Sequence, residues 1–249
     1  MGSFDETLDT LFHGRLKIRQ SRPGYRFSLD PLLLAGFVTV RPGVVAADLG
    51  CGNGVIALIL AYLYPQLTVT TVELQEGMAQ RARANVGLNG YENRIKVLCG
   101  DVRQIARLAG PESHGVVVCN PPYRKPTSGR NSPDPEKRIA RHEIKGNLRD
   151  FVRAGAYLLP MNGRMAVIYP ALRTVDLLAT MREANIEPKR LRMVHSFTGT
   201  EASLVLVEGV KGGRNGVEVI APLVIYEQGK QYGAEVASLL AGSSASGKS

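Results

Sequence analysis

Asn120-Pro121-Pro122-Tyr123 is the stretch of this chain that carries the most chemistry. It follows an apolar run, Gly115 to Cys119, that reads as a buried strand, so these four residues stand at a strand end. The Asn120 side-chain oxygen accepts one N–H, and the backbone carbonyl of Pro121 accepts a second. The exocyclic amine of a nucleobase, or a carboxamide nitrogen, is a poor nucleophile because its lone pair is delocalised. Two acceptors on its hydrogens draw that nitrogen toward tetrahedral geometry and stabilise the positive charge that develops as it is alkylated. Consecutive prolines hold the carbonyl still, since each has a fixed φ. Tyr123 offers a flat face for a base to stack on. Asn120, Pro121, Pro122 and Tyr123 are therefore the candidate catalytic residues.

A second cluster precedes them. Asp48-Leu49-Gly50-Cys51-Gly52-Asn53-Gly54 places glycines between an apolar strand, Val44 to Leu49, and an apolar helix from Val55. In an α/β sheet that junction is where ligands sit, beyond the carboxyl ends of the strands. Two ligand classes compete. The dinucleotide fingerprint needs a third glycine at position 55, where this chain has Val55, and the spacing is G-x-G-x-G instead. Two more acids, Glu73 and Asp101, follow the next two strand-like runs. The order of an acid followed by three alternating glycines resembles the S-adenosylmethionine site of class I methyltransferases, over about residues 44–210. That resemblance implies S-adenosyl-L-methionine as cofactor, held by Asp48, Gly50, Cys51, Gly52, Asn53 and Gly54. It gives Glu73 the ribose hydroxyls, with Leu74 beside it, and Asp101 the adenine amino group, with Val102 packed nearby and Asn120 at the methyl end. A carboxylate suits the ribose because it accepts two charge-assisted hydrogen bonds.

The elements that must position these residues alternate between strand and helix. Helices are read at Val55–Tyr64, Gln75–Leu88, 102–108, Asn147–Leu159 and Leu172–Asn185. Strands are read at Thr68–Val72, Ile95–Cys99, Gly115–Cys119, Gly163–Tyr169, Arg190–Phe197 and Ala202–Glu208. This implies an α/β fold with a seven-stranded, mostly parallel sheet and helices on both faces; the resemblance makes it the Rossmann-like fold of class I methyltransferases. Only Thr198 to Glu201 separate the last two strands. That gap is too short for a parallel crossover, so the pair is an antiparallel edge hairpin. Residues 1–43 form an N-terminal strand and helix extension over the cofactor site. Within it, Gly14 to Gln20 is strand-like, and a helix from Leu32 is capped by Ser28 or Asp30 with Pro31 in its first turn. Residues 44–210 are the methyltransferase domain. Residues 211–241 are a C-terminal addition with a strand-like Val217 to Tyr226 and a helix near Ala234 to Leu240, and 242–249 are a disordered tail. That tail, Gly242 to Ser249, matches the P-loop pattern by letter, but no helix follows to hold phosphate.

Charge and composition point to the acceptor. The chain has 31 Lys and Arg against 22 Asp and Glu, a formal charge of +9, which favours a polyanionic partner. Arg124, Lys125, Arg130, Lys137, Arg138 and Arg141 crowd the segment after Tyr123, and Arg15, Lys17, Arg19, Arg22 and Arg26 form a second basic cluster. Arg22 and the six after Tyr123 are the candidate nucleic-acid contacts, suited to phosphates that position a substrate without reading its sequence. Cys51, Cys99 and Cys119 form no CxxC pair, and this suggests free thiols in a cytoplasmic protein. No metal-ligand spacing, signal peptide or membrane span is read, and a monomer is expected.

Gly24 to Ala35, Asp48 to Gly54 and Asn120 to Tyr123 together are similar to the bacterial tRNA1(Val) (adenine-N6)-methyltransferase family. That resemblance implies N6-methylation of an adenine in RNA, in tRNA near the anticodon, and makes Arg26 and Phe27 lid residues over the cofactor. A protein glutamine methyltransferase uses the same turn but usually has a separate helical domain before its sheet, and here only about 45 residues precede Asp48. A guanine-N2 rRNA enzyme more often has another aromatic at position 123. A non-catalytic RNA-binding module would not need Asp48, Glu73, Asp101 and Asn120 intact.

Overall fold

The computed structural model describes residues 6–21, 28–122 and 146–242. Tyr123, Arg22, Arg26, Phe27, Arg124, Lys125, Arg130, Lys137, Arg138 and Arg141 lie outside the described residues, as does the tail after Gly242.

The sheet is built from β3 (Val45–Leu49), β4 (Thr68–Glu73), β5 (Ile95–Cys99), β6 (Val116–Cys119), β7 (Arg164–Pro170), β8 (Ile186–His195) and β9 (Ala202–Lys211). These are the seven expected strands, and β9 alone runs against the others. Two short strands, β10 (Glu218–Val219) and β11 (Leu223–Val224), extend the sheet along the outer edge of β8. The spatial order is β10-β8-β9-β7-β6-β3-β4-β5, with β11 also on β8. The edge hairpin therefore has its outer strand covered. The single strand expected over Val217–Tyr226 is broken instead at Pro222, which has no N–H to give a ladder.

Chain order runs outward from β3 to β5, then returns to β6 on the other side of β3. The strand order thus reverses between β3 and β6, the position where α/β sheets bind ligands. Leu49 and Cys119 are paired in that ladder, so Gly50 and Asn120 are the first residues beyond a shared register.

Helices cover both faces. On one face lie α1 (Asp30–Phe37) and α2 (Val55–Leu63), with α6 (Ala234–Leu240) joining the same core. Helix α2 is apolar all round, and Val55 to Ala61 are all buried, as an interior helix requires. The hairpin β1 (Glu6–Leu11) and β2 (Leu16–Ser21) adds Phe12, Leu16 and Ile18 to this core, and the Phe12 ring stacks on Tyr62 at 4.3 Å. Strand β1 is absent from the sequence reading because its polar, acidic start hides the alternation. On the other face α4 (Leu148–Leu158) and α5 (Thr174–Glu183) pack with Phe151, Val152, Leu177 and Met181. Asn147 begins α4 with a capping box: its side chain accepts from the Asp150 N–H while Asp150 accepts from its own. Between β4 and β5 runs α3 (Glu76–Leu88).

Three expectations are corrected. Helix α1 has Leu29 at its N-cap with no side-chain bond to the helix end, and Ser28 Oγ instead accepts from the Asp30 N–H at 3.3 Å. The segment after β5 is a 3₁₀ helix, Val102–Arg107, and the turn Ala171–Arg173 is a separate 3₁₀ piece before α5. Glu208 on β9 is fully buried and accepts from Arg164, Arg190 and both the N–H and the hydroxyl of Thr39. This buried acid is balanced by two arginines, and it ties the α1–β3 linker to the edge hairpin.

Candidate active site

Three strand ends bring the sequence-derived residues together. After β3, Gly50, Gly52 and Gly54 have φ of 73°, 57° and 82°, the left-handed region that favours glycine. Their surroundings differ. A Cβ on Gly50 would meet Phe151 at 2.8 Å, and one on Gly54 would meet Ala82 at 3.3 Å, so both are packed against the fold. Around Gly52 a Cβ would meet nothing within 4 Å. The open side of the turn is at Gly52, and this is the side available to a ligand.

Glu73, at the end of β4, is buried and holds the turn. One carboxylate oxygen accepts from the Gly52 N–H at 2.9 Å and the other from the Gln75 N–H at 2.9 Å. The Gln75 side-chain amide adds a long bond of 3.5 Å to the second of these oxygens, while the oxygen bound to Gly52 keeps a free acceptor direction of the kind a ribose hydroxyl requires. Leu74 follows it, with its carbonyl toward the Cys99 thiol. At the end of β5, Asp101 caps the 3₁₀ helix through the Arg103 N–H, and the Arg103 guanidinium engages both its oxygens. That pair holds the Asp101 carboxyl below the usual range. An adenine amino group would therefore share Asp101 with Arg103. Val102 is buried in the core beneath it.

Asp48 lies behind the turn, fully buried, and neither of its oxygens has a hydrogen bond of good geometry. Burial pushes its carboxyl up to about 7, opposed in part by the Ala57 N–H and reinforced by the Glu73 charge. Cys51 is buried beside it, and burial with the Asp48 charge raises its thiol well above the ordinary value. Asn53 Oδ1 is likewise buried without a partner. An unpaired buried carboxylate and amide oxygen flanking an open glycine cradle suit a ligand that brings positive charge and hydrogen-bond donors, as S-adenosylmethionine does.

Asn120 is half-buried at the end of β6, next to the buried Pro121 and the exposed Pro122. Its neighbour is Asp30, in the first turn of α1. Burial raises the Asp30 carboxyl, while Ser28, the Asp30 N–H and the Asn120 side chain each hold it back by hydrogen bonding. Sequence reasoning assigned Asp30 only to capping; the signal was its place in the Gly24 to Ala35 stretch.

Asn85 was missed as well. Its side chain donates to the Asn53 carbonyl at 3.0 Å and to the Arg19 carbonyl at 3.2 Å, and its oxygen accepts from the Arg19 N–H at 2.8 Å. Asn89, one turn on, pairs in the same way with Lys17. Two amides at i and i+4, in the last turn and at the C-cap of α3, thus hold β2, and Asn85 links it to the glycine turn. Lys17 and Arg19 stand on the exposed face of β2 beside Arg15.

Among the described residues there is no group of three or more His, Cys, Asp or Glu able to hold a metal ion, and no helix is long and apolar enough to cross a membrane. The three cysteines are free.

This sheet, its switch-point glycine turn and its strand-end acids define a class I methyltransferase. The crystal structure described as a predicted O-methyltransferase from Agrobacterium tumefaciens superposes with a TM-score of 0.73 at 25% identity, covering 87% of this chain and 97% of that one. Pyrococcus horikoshii TYW2 in complex with MeSAdo shares the fold, with a TM-score of 0.58 at 14% identity over 86% of this chain and 74% of that one. The methyltransferase small domain family matches residues 31–169. The tRNA1(Val) (adenine(37)-N6)-methyltransferase of Porphyromonas gingivalis is 31% identical over 78% of both chains, and that of Aeromonas hydrophila is 28% identical over 78% of this chain and 80% of its own. The chain belongs to the methyltransferase small domain family and, within it, to the S-adenosylmethionine-dependent tRNA1(Val) (adenine-N6)-methyltransferases.

Proposed function

We propose that this protein transfers the methyl group of S-adenosylmethionine to the N6 amine of an adenine in RNA, and that the RNA is a tRNA modified beside its anticodon. The observation that carries this reading is the shared register of Leu49 and Cys119, which puts the open glycine turn and Asn120 on adjacent strand ends. Adjacent parallel strands are about 4.8 Å apart, so donor and acceptor meet at one switch point. The choice of adenine and of tRNA is supported by the relatives' names.

The chain's own groups have distinct tasks. The Gly52 side of the turn admits the donor, and Glu73 takes its ribose hydroxyls. Asn120, with Asp30 as its neighbour, and the Pro121 carbonyl accept the two N6 hydrogens, and Tyr123 stacks on the base. Bound there, S-adenosylmethionine would supply the methyl group and leave as the neutral thioether, and these acceptors would stabilise the positive charge that develops on nitrogen. One N6 proton then leaves to solvent. Rate enhancement comes from in-line positioning and fixed dipoles. Arg26 and Phe27 close over the donor, within an N-terminal extension of residues 1–43 whose β2 already reaches the turn through Asn85. Lys17 and Arg19, with the basic residues between Arg124 and Arg141, hold phosphates. A tRNA substrate and free thiols are consistent with a cytoplasmic site of action.

The test is methylation in vitro with labelled donor and a panel of unmodified tRNA transcripts, read by nucleoside mass spectrometry. N6-methyladenosine in a single tRNA species is the expected product. Label in N2-methylguanosine, or in a release-factor glutamine with no labelled RNA, overturns the reading.

A further inference from the structure

Far from the glycine turn, but at the same end of the sheet, three aromatic rings stand in a row. Phe197 follows β8, Tyr226 begins β12 (Tyr226–Gln228), and Tyr232 ends β13 (Gln231–Tyr232). The Tyr226 and Tyr232 rings stack at 5.3 Å and 20°, and Phe197 lies 5.5 Å from Tyr226 at 33°. The outer two rings, Phe197 and Tyr232, are 37% and 38% exposed, so each keeps surface open to a ligand.

The row is held in place by backbone bonds. The Tyr226 N–H donates to the Ser196 carbonyl at 2.9 Å, and the Gly233 N–H donates to the Ile225 carbonyl at 2.9 Å. The turn carrying Phe197 is closed by Thr200, whose hydroxyl donates to the Phe197 carbonyl at 2.8 Å, and His195 Nδ1 pairs with the Thr200 carbonyl at 2.7 Å. Rings fixed before a ligand arrives lose little entropy on binding.

Their place in the sheet gives the row a partner. Strands β6, β7 and β8 all run the same way, so Asn120, the turn after β7 and Phe197 emerge at one end. From β6 to β11 there are four strand spacings, roughly 19 Å, the reach of a few nucleotides. Between the two, Leu172 is 98% exposed and Val175 79% exposed at the end of β7 and the start of α5. In strand order these two exposed apolar side chains stand between the catalytic turn and the aromatic row. The charges around the row are mixed, with Lys230 against Glu201 and Glu227, so stacking rather than phosphate attraction is the grip there.

We propose that Phe197, Tyr226 and Tyr232 form a stacking platform for an unpaired base of the RNA strand that carries the target adenine, a few nucleotides from it. Bases splayed from a single-stranded loop stack on such rings whatever their identity. This assigns a task to the C-terminal addition, which supplies two of the three rings. The proposal rests on the RNA reading above.

The chain contains no tryptophan, so Tyr232→Trp introduces a lone ring reporter. Its fluorescence is expected to be quenched on titration with a stem-loop RNA bearing the target adenine, and less so when a base a few positions away is made abasic. The Phe197→Ala/Tyr232→Ala double variant is expected to raise KM for that RNA by about 10-fold or more with kcat retained, since one stacked base contributes on the order of tenfold in affinity. The abasic RNA should show no further loss with this variant. A Tyr232→Trp protein that methylates the stem-loop without fluorescence change, or a folded double variant with KM within about twofold of wild type, overturns the platform. If the double variant does not fold, the tryptophan titration decides alone. If the wild type methylates no RNA, the function proposal fails, and quenching by the same stem-loop still decides the platform.

Discussion

The donor half and the acceptor half of the switch point are built differently. Beyond β3, β4 and β5 the site is a cradle open only at Gly52 and otherwise internally bonded: Glu73 holds Gly52 and Gln75, Arg103 holds Asp101, and Asn85 holds Asn53. Beyond β6, β7 and β8 the surface is open, with Pro122, Leu172, Val175 and Phe197 facing solvent. A small donor of one structure rewards a rigid cradle with every polar group placed. A large polymeric acceptor needs only one exact station, at Asn120, and a surface along which the rest of it can lie.

That contrast can be broken at several points. The largest effect is expected at Asn120 itself. Asn120→Ala removes an acceptor used as charge develops on nitrogen, and kcat should fall by about 10²- to 10³-fold with donor affinity nearly unchanged. Single-turnover kinetics with parallel donor binding checks this; equal losses in both would place Asn120 in the donor half.

A smaller effect is expected at Glu73. Glu73→Ala leaves the Gly52 and Gln75 N–H groups without their charged acceptor and removes the ribose partner. S-adenosylmethionine affinity should weaken by about 10- to 100-fold, in line with a lost hydrogen bond to a charged group. RNA affinity should not change. Calorimetry with donor and electrophoretic shift with RNA separate the two.

The smallest and most diagnostic effect is the pH dependence carried by Asp48. Its folded carboxyl titrates at about 7 against an ordinary value of 3.8. Between those values the unfolded chain binds fewer protons than the folded one, so this group's contribution to stability falls as pH rises and levels off above about 7. A cationic donor placed near the carboxylate favours ionisation. S-adenosylmethionine affinity should therefore increase from pH 6 to pH 8, while the demethylated, uncharged-sulfur product changes less. Asp48→Asn should flatten both the melting-temperature slope and the difference between the two ligands. A donor affinity that falls over the same interval would show that Asp48 does not sense the cofactor's charge.

The two halves were also unequally legible beforehand. The glycine turn and the acids after β4 and β5 were readable because each is local: a strand, a turn and one residue type at a fixed offset. The Asn120 turn was readable for the same reason, since two prolines mark it. Asp30 was visible but misassigned to a cap, because its contact with Asn120 joins residues 90 positions apart. Asn85 looked like an ordinary amphipathic-helix polar residue, and only the docking of β2 makes it a bracket for the glycine turn. The last strand-like run was misread as one piece, since pairing with two stretches of β8 across Pro222 is decided by the edge that receives it.

The sequence by itself determined the reaction class: alternating elements dictate the parallel sheet, and a polar motif at a strand end needs no tertiary knowledge to suggest what it can bind. Only the tertiary structure decided what surrounds that motif. Asp30 reaches Asn120 because α1 packs over the switch point, and Phe197, Tyr226 and Tyr232 form a row because β8 and the C-terminal addition meet at one edge. Such contacts between distant segments depend on how faces pack, and periodicity along the chain carries no record of them.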